Sequence, residues 1–321
     1  MNCLLFKRIV PSNIRLCNFL SDRLYIALLP SVATVVGIFI LMTFVLTANS
    51  IPIFLYEGLE FIVSNVWIAS ENGGYEKYGV AAAIFGTLYT SLLALLLSVP
   101  SSVALVVLIN EVAPAKARPA LSSILEFMSG MPTVLYGLWG VFILAPILYN
   151  YLMKPLNQYL GWVPMFSFTP RGGFSILTAG IILAIMVVPY ESLLIKAAYD
   201  SIPSTYVEAM YSLGLTKAEV ARLKLRMIRT SIIAASVLGY GRAVGETVAV
   251  SLVIGNTFYL GPSVLAPGYT ISALIANQFG NACLYKYMPA ALYASALLLL
   301  LVCLPLNIFG LYMISKCRWS R

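Results

Sequence analysis

From Gly79 to Val112 the chain runs for 34 largely apolar residues. About 20 apolar residues suffice for a helix to cross about 30 Å of hydrocarbon. Five further runs of this kind lie near Tyr25–Thr47, Leu121–Asn150, Phe174–Ala198, Ile228–Gly255 and Pro289–Ser315. The expected fold class is all-α integral membrane with six transmembrane helices. As one straight helix the second run would reach about 51 Å, and Pro100, two-thirds along it, predicts a kink or break. Hydrophobic residues make up 60% of the chain and charged residues 10%, against about a quarter charged in soluble domains. Most of the surface is therefore suited to lipid rather than water. The apolar stretch after Lys7, Arg8, Arg15 and Arg23 is too long for a signal-peptide core and reads as a retained first helix.

Several chemistries are closed off. The chain has no histidine, which removes the commonest metal ligand and the usual general base. Its five cysteines, Cys3, Cys17, Cys283, Cys303 and Cys317, are scattered without CxxC spacing, so neither a zinc site nor a disulfide framework is expected. No GxxxxGK[ST] phosphate loop occurs, and ATP hydrolysis is expected only in a separate chain. No cofactor, no metal and no enzymatic activity are expected. The net charge of +8 reads as topology. With the amino terminus inside, 15 of the 20 basic residues fall on one side, among them Lys116, Arg118, Lys196, Lys217, Arg222, Lys224, Arg226 and Arg229. Only Lys77, Lys154, Arg171 and Lys286 fall on the other, and Arg242 lies inside a span. Such a bias places both termini in the cytoplasm and leaves no case for a nucleic-acid partner.

Residues 200–229 form the most informative water-exposed segment. Thr205-x-x-Glu208 has capping-box spacing, and Gly214 supplies the permissive backbone for a helix end. Thr216-x-x-Glu219 repeats the capping spacing and opens a second, basic helix. The expected product is two short helices bent at Gly214, an elbow on which another protein could push. A solvated basic loop that merely orients the chain is the alternative.

Glycines mark two of the spans. Gly130, Gly137 and Gly140 recur in the third run, interrupted by Pro132, and Gly239, Gly241 and Gly245 recur in the fifth. Small residues let helix backbones approach closely in lipid, and a ligand path along the same seam is a further reading. Glu126 and Glu191 are read either as reaching the interface or capping a neighbouring helix, or as functional. Arg242 and Glu246 sit mid-span at i, i+4 spacing, about 6 Å apart along the axis, close enough to pair on one helix face. A structural ion pair and a transport role both remain open. Thr270 is expected to start a short helix that carries Ile271, Leu274 and Ile275 at helical spacing and runs to Gly280. This helix either packs back onto the bundle mouth or serves a docking partner.

The motifs together carry a resemblance. Glu208-Ala209-Met210-x-x-x-Gly214 resembles the EAA loop of ABC importer permeases, although the family's Ile-x-Leu-Pro end reads Lys224-Leu225-Arg226-Met227 here. Gly130-Met131-Pro132-Thr133-Val134-Leu135-Tyr136-Gly137, Gly239-Tyr240-Gly241-Arg242-Ala243-Val244-Gly245-Glu246-Thr247 and Pro267-Gly268-Tyr269-Thr270 resemble the PstC-type permeases of phosphate importers. The likeness spans Gly79 to the carboxy terminus. It implies a MetI-like permease core at 79–321, preceded by an amino-terminal segment, first helix and outer loop at 1–78. It further implies a second related permease as heterodimer partner, two ATP-binding cassette subunits, an extracytoplasmic phosphate-binding protein, and phosphate as cargo. Glu208, Ala209 and Gly214 would then dock the ATPase. Arg242 would attract the passing anion while Glu246 holds its guanidinium. A permease for sulfate, molybdate or tungstate is the neighbouring reading, and a secondary anion transporter a more distant one.

Overall fold

The computed structural model describes residues 14–70, 75–170 and 172–316, with side chains described over 28–70, 75–170 and 172–313. Lys7, Arg8, Glu71, Arg171, Arg318, Trp319, Arg321, Cys3 and Cys317 lie outside the described residues. Two compact units, 1–49 and 50–321, are described separately.

The described residues of the first unit, 14–49, lie in helix α1 (Ile14–Glu57), and between Leu28 and Asn49 its apolar side chains are mostly exposed around the helix. A helix that is apolar on every side suits a lipid environment. In the second unit a short helix α2 (Glu60–Val63) and a two-stranded antiparallel hairpin, β1 (Trp67–Ile68) and β2 (Lys77–Tyr78), lead into α3 (Ala81–Val112), whose last turn widens to a π-helix. There follow α4 (Arg118–Ser129), α5 (Thr133–Leu160) and α6 (Ile176–Asp200). Next come α7 (Ser204–Ser212), α8 (Lys217–Met227), α9 (Arg229–Val244), α10 (Val248–Val253), α11 (Ile271–Gln278) and α12 (Met288–Lys316).

Among the described residues five helices are long and apolar enough to cross a membrane: 28–57 in α1, then α3, α5, α6 and 288–313 in α12. Three expectations shift. The run Leu121–Asn150 is not one helix, because Pro132 adopts an extended ψ of 130° at the start of α5 and separates it from α4. A proline disfavours helical backbone in the residue before it. The corner is tied by the Tyr136 hydroxyl, which donates to the Met128 carbonyl at 2.9 Å. The run Ile228–Gly255 is likewise two helices, α9 and α10, parted at 245–247. Pro100, by contrast, lies inside α3, which continues past it.

The most extensive helix pairing is between α3 and α6. Its origin is a stripe of small buried residues on α3, with Ala83, Thr87, Ser91, Ala94, Ser98 and Ser102 recurring every three or four positions. This is the helical repeat that puts them on one face. Two close approaches follow. A Cβ on Gly180 of α6 would lie 2.5 Å from Leu93, and one on Gly86 of α3 would collide with the Tyr269 carbonyl. Helix α9 packs across this pair and against α12. Larger apolar side chains fill the spaces between, with Tyr136, Ile182, Leu183, Met186, Val250 and Val253 in one buried cluster.

At the hairpin end of the bundle, Glu76 is buried with its carboxylate facing the start of α12. It accepts the Lys286 and Tyr287 amides at 3.2 and 3.1 Å and the Tyr78 hydroxyl at 2.9 Å. Burial, with Glu76 beside it, pushes the Tyr78 phenol above its usual range, so it stays a donor. An anion here also complements the positive end of the helix dipole. Replacing Glu76 with Ala should cost roughly 3 kcal/mol, since three donors lose their acceptor. Thermal unfolding in detergent would show this as a lowered midpoint; an unchanged midpoint would remove the clamp.

Candidate functional site

The elbow takes the expected shape with one correction. Helix α7 starts directly after Pro203, and Thr205 lies within its first turn without capping, so the Thr205–Glu208 box does not form. Pro203 has φ −59° and ψ 139° and its carbonyl accepts the Tyr206 amide at 3.1 Å, so proline makes the start that a threonine cap would have made. Glu208 and Ala209 are exposed, as are Tyr206, Tyr211 and Leu213. Gly214 adopts φ +78° after α7, the left-handed region in which only glycine escapes a steric cost. The Thr216–Glu219 box does form: the Glu219 carboxylate accepts the Thr216 amide at 2.8 Å, and Thr216 Oγ1 accepts the Glu219 amide at 3.4 Å. These bonds from Thr216 hold the Glu219 carboxyl below its usual range.

The elbow is also tied into the bundle by residues the sequence did not single out. Lys224 of α8 donates to Glu111 Oε1 at 2.8 Å, and Tyr199 of α6 donates to the same oxygen at 2.6 Å. The Lys224 ammonium also lies 4.0 Å from the Tyr199 ring centroid. One carboxylate at the end of α3 thus collects α6 and α8. Lys224 stands where the resembled family has the start of its Ile-x-Leu-Pro end. Without that proline, α8 leaves through a single bent residue, Ile228, directly into α9. The available signal was Glu111 itself, a lone acid ending an apolar span and in need of a cation.

Arg242 and Glu246 do not share a helix face. Helix α9 stops at Val244, Gly245 caps it, and Glu246 lies in the break before α10. Gly239, Gly241 and Gly245 make this segment a poor helix former. The break gives Glu246 other partners. Its carboxylate accepts the Ala249 amide at 3.3 Å, one of the donors freed at the start of α10, and its carbonyl accepts the Ser272 hydroxyl at 2.6 Å. Arg242 is half-buried with its guanidinium 5.2 Å from the Tyr190 ring centroid, and the ion pairs among the described residues include neither residue. The guanidinium keeps its planar fork of donors without a carboxylate to satisfy it.

The glycines divide by what they touch. A Cβ at Gly137 would lie 2.7 Å from Leu252, one at Gly140 would collide with Ile182, and one at Gly241 would lie 2.7 Å from the Asn307 amide oxygen. Gly130 and Gly245 are exposed and meet nothing beyond their own helix backbone at 3.7 Å or more. Both sit at helix ends, which accounts for glycine there without helix packing. Glu126 is exposed on α4, whereas Glu191 is fully buried between α3, α6 and α9. Thr270 caps α11, whose first half, Ile271 to Leu274, is buried against the bundle.

A helical bundle with five helices long and apolar enough to cross a membrane, and an exposed helical elbow at one end, has the build of a multi-pass membrane protein. Residues 111–318 match the family described as binding-protein-dependent transport system inner membrane component. The chain is 42% identical over 297 residues to the probable phosphate transport system permease protein PstC of Methanocaldococcus jannaschii, covering 92% of this chain and 94% of that protein. It is 39% identical over 269 residues to the PstC of Xylella fastidiosa, covering 83% and 80%. Among solved structures, a bacterial ABC transporter involved in the import of the polysaccharide alginate matches with a TM-score of 0.50, 21% identity, and coverage of 93% of this chain and 100% of that one. The chain therefore belongs to the inner membrane components of binding-protein-dependent transport systems, in the branch of the PstC permeases.

Two consequences can be measured at the elbow. Gly214→Val should cost about 1–2 kcal/mol through the left-handed backbone alone, because no side chain lies within 4 Å of the added Cβ. The Glu219 cap gives its stabilisation above the usual carboxylate range and loses it as pH falls through the depressed folded-state value. The protection factors of amides at the start of α8, taken relative to the intrinsic exchange rate at each pH, should therefore fall in acid for the wild type and be already low in Thr216→Ala. Equal exchange in the two at neutral pH would remove the cap.

Proposed function

We propose that this chain is the permease subunit of an ATP-driven, binding-protein-dependent phosphate importer. Residues 79–321 are its permease core, 1–78 precede that core, and 200–229 are the coupling loop. It contributes half of the pathway beside a second, related permease. The exposed α7, with Glu208, Ala209 and the Gly214 bend, docks one of two ATPase subunits on the cytoplasmic side, where both termini also lie. A phosphate-binding protein delivers cargo at the opposite end. ATP is hydrolysed in the partner chains.

One observation carries the site assignment: Arg242 lies in the last turn of α9, beside the break before α10, and has no carboxylate partner among the described residues. A charged side chain in the bilayer centre costs about 2.5–3.5 kcal/mol on insertion scales, and a structural role would call for a counter-ion. The aromatic face of Tyr190 offsets part of that cost yet leaves the donors free for phosphate oxygens, which match a guanidinium in geometry and charge. Glu246 acts as the fixed acceptor that holds the break open at α10, and its negative charge limits how tightly an anion can dwell. The charge bias of the loops supports the orientation, and the names of the relatives support phosphate as cargo.

The test is reconstitution with the ATPase, partner permease and binding protein. Phosphate-loaded binding protein should stimulate ATP hydrolysis; sulfate- or molybdate-loaded protein as the better stimulant would overturn the cargo assignment. Arg242→Gln should lower phosphate uptake roughly 10- to 100-fold, the worth of a charge-assisted contact, while the assembled complex still hydrolyses ATP. Uptake within twofold of wild type would show that Arg242 does not meet the anion.

A further inference from the structure

One carboxyl group in the bundle is left without a task by the transport reading. Glu191 of α6 has no exposed surface, and its Oε2 accepts a hydrogen bond from Ser102 Oγ of α3 at 3.1 Å. Its Oε1 has no hydrogen-bond partner and rests against Gly239 of α9, where any Cβ would collide with it. The hydroxyls of Ser98, one turn from Ser102 on the same face of α3, and of Ser192, next in sequence to Glu191, are also buried and unpartnered. Unpaired polar atoms this deep are uncommon and call for an explanation.

Charge does not supply one. Helix α3 carries only Glu111, which is engaged by Lys224 and Tyr199. Helix α9 carries Arg229 at its start and Arg242, whose guanidinium lies over Tyr190. Helix α4 carries Arg118, which donates to the Ala113 carbonyl, and the exposed Glu126. On α5, Lys154 binds Asn150, and α10 has no charged residue. On α6 itself Lys196 and Asp200 pair with each other at 2.7 Å. None of these cations lies within ion-pair distance of Glu191. An unpaired carboxylate sealed from water is costly enough that such groups neutralise instead.

The neutral acid fits what surrounds it. Protonation turns the carboxyl into one donor with acceptor capacity remaining, and each serine hydroxyl can both donate and accept. Ser102 donates to Oε2, and the hydroxyl of Ser98, beside the same carboxyl, is an acceptor for the acid's hydrogen. With Oε1 already against the Gly239 backbone, a guest on that side has to be smaller than water.

We propose that Glu191, with Ser98 and Ser102, is a proton-binding site in the seam of α3, α6 and α9, occupied while the seam is packed and emptied when it opens to water. The carboxylate takes one proton from water on closing and returns it on opening. The site is distinct from the break at Arg242 and does not depend on which anion is carried. Raising the pH strips the proton, and the charged carboxylate is then expelled from the seam, so alkaline conditions disfavour the packed state.

The assembled transporter in lipid, as wild type and Glu191→Gln, provides the test. The infrared difference between them at neutral pH should show the C=O stretch of a protonated carboxyl present only in the wild type. Ser102→Ala should shift that band, because Ser102 donates to the same group. Wild-type uptake should fall at alkaline pH toward tenfold per pH unit, the limit for loss of one proton, and Glu191→Gln, which cannot lose a proton, should lack that limb. A difference spectrum showing only carboxylate bands would overturn the proposal. So would a band unmoved in Ser102→Ala, or an alkaline limb preserved in Glu191→Gln.

Discussion

The seam between α3 and α6 is the constraint on which the rest of this molecule rests. In lipid there is no hydrophobic gain from pressing one apolar helix against another, so association depends on close packing and on hydrogen bonds between helices. The stripe from Ala83 to Ser102 provides the first, and Ser102 with Glu191 provides the second. A large side chain anywhere along that stripe would separate the two helices and leave Glu191 facing a gap. The same economy of volume recurs at Gly239 against Glu191 and at Gly140 against Ile182.

The elbow and the break between α9 and α10, the two proposed functional ends, both hang from that seam. At one end Glu111 and Tyr199, the last residues of α3 and α6 to make such contacts, hold Lys224 and with it the second helix of the elbow. The first helix, α7, is joined to α6 through residues 201–203 and to α8 through the Gly214 bend, and it presents an exposed surface. Toward the other end, α9 lies across the seam and stops at Val244, leaving Arg242 and Glu246 on either side of its terminus. A movement imposed on α8 therefore reaches α3 and α6 through one carboxylate, and reaches the break through α9, which follows α8 after a single residue.

Much of this was legible in the sequence, and the failures have physical causes. Apolar run length identified five of the six runs as carrying a span-length helix, all but Ile228–Gly255, the Thr216–Glu219 spacing marked a real cap, and Gly214 marked a real bend, because these are local properties of backbone and solvent. Thr205 failed because Pro203 starts the helix first. The pairing of Arg242 with Glu246 failed because i, i+4 spacing has meaning only while the helix continues, and Gly245 ends it. Glu111 and Lys224 meet across 113 residues of sequence, and no local pattern reports such a meeting. Glu191 was visible as an acid in an apolar run, but Ser98 and Ser102 come to it from α3 and Gly239 from α9.

The central claim is that α8 and the end of α3 move as one body, so that force on the elbow enters the bundle at Glu111. Spin labels at Arg222 on the exposed side of α8 and at Val112, 69% exposed at the end of α3, report on it directly. In the assembled transporter the distance between them should be the same with and without ATP, and should become nucleotide-dependent when Lys224→Met removes the tie. A wild-type distance that changes on ATP binding would contradict the account, since the elbow would then move independently of the bundle it is meant to drive.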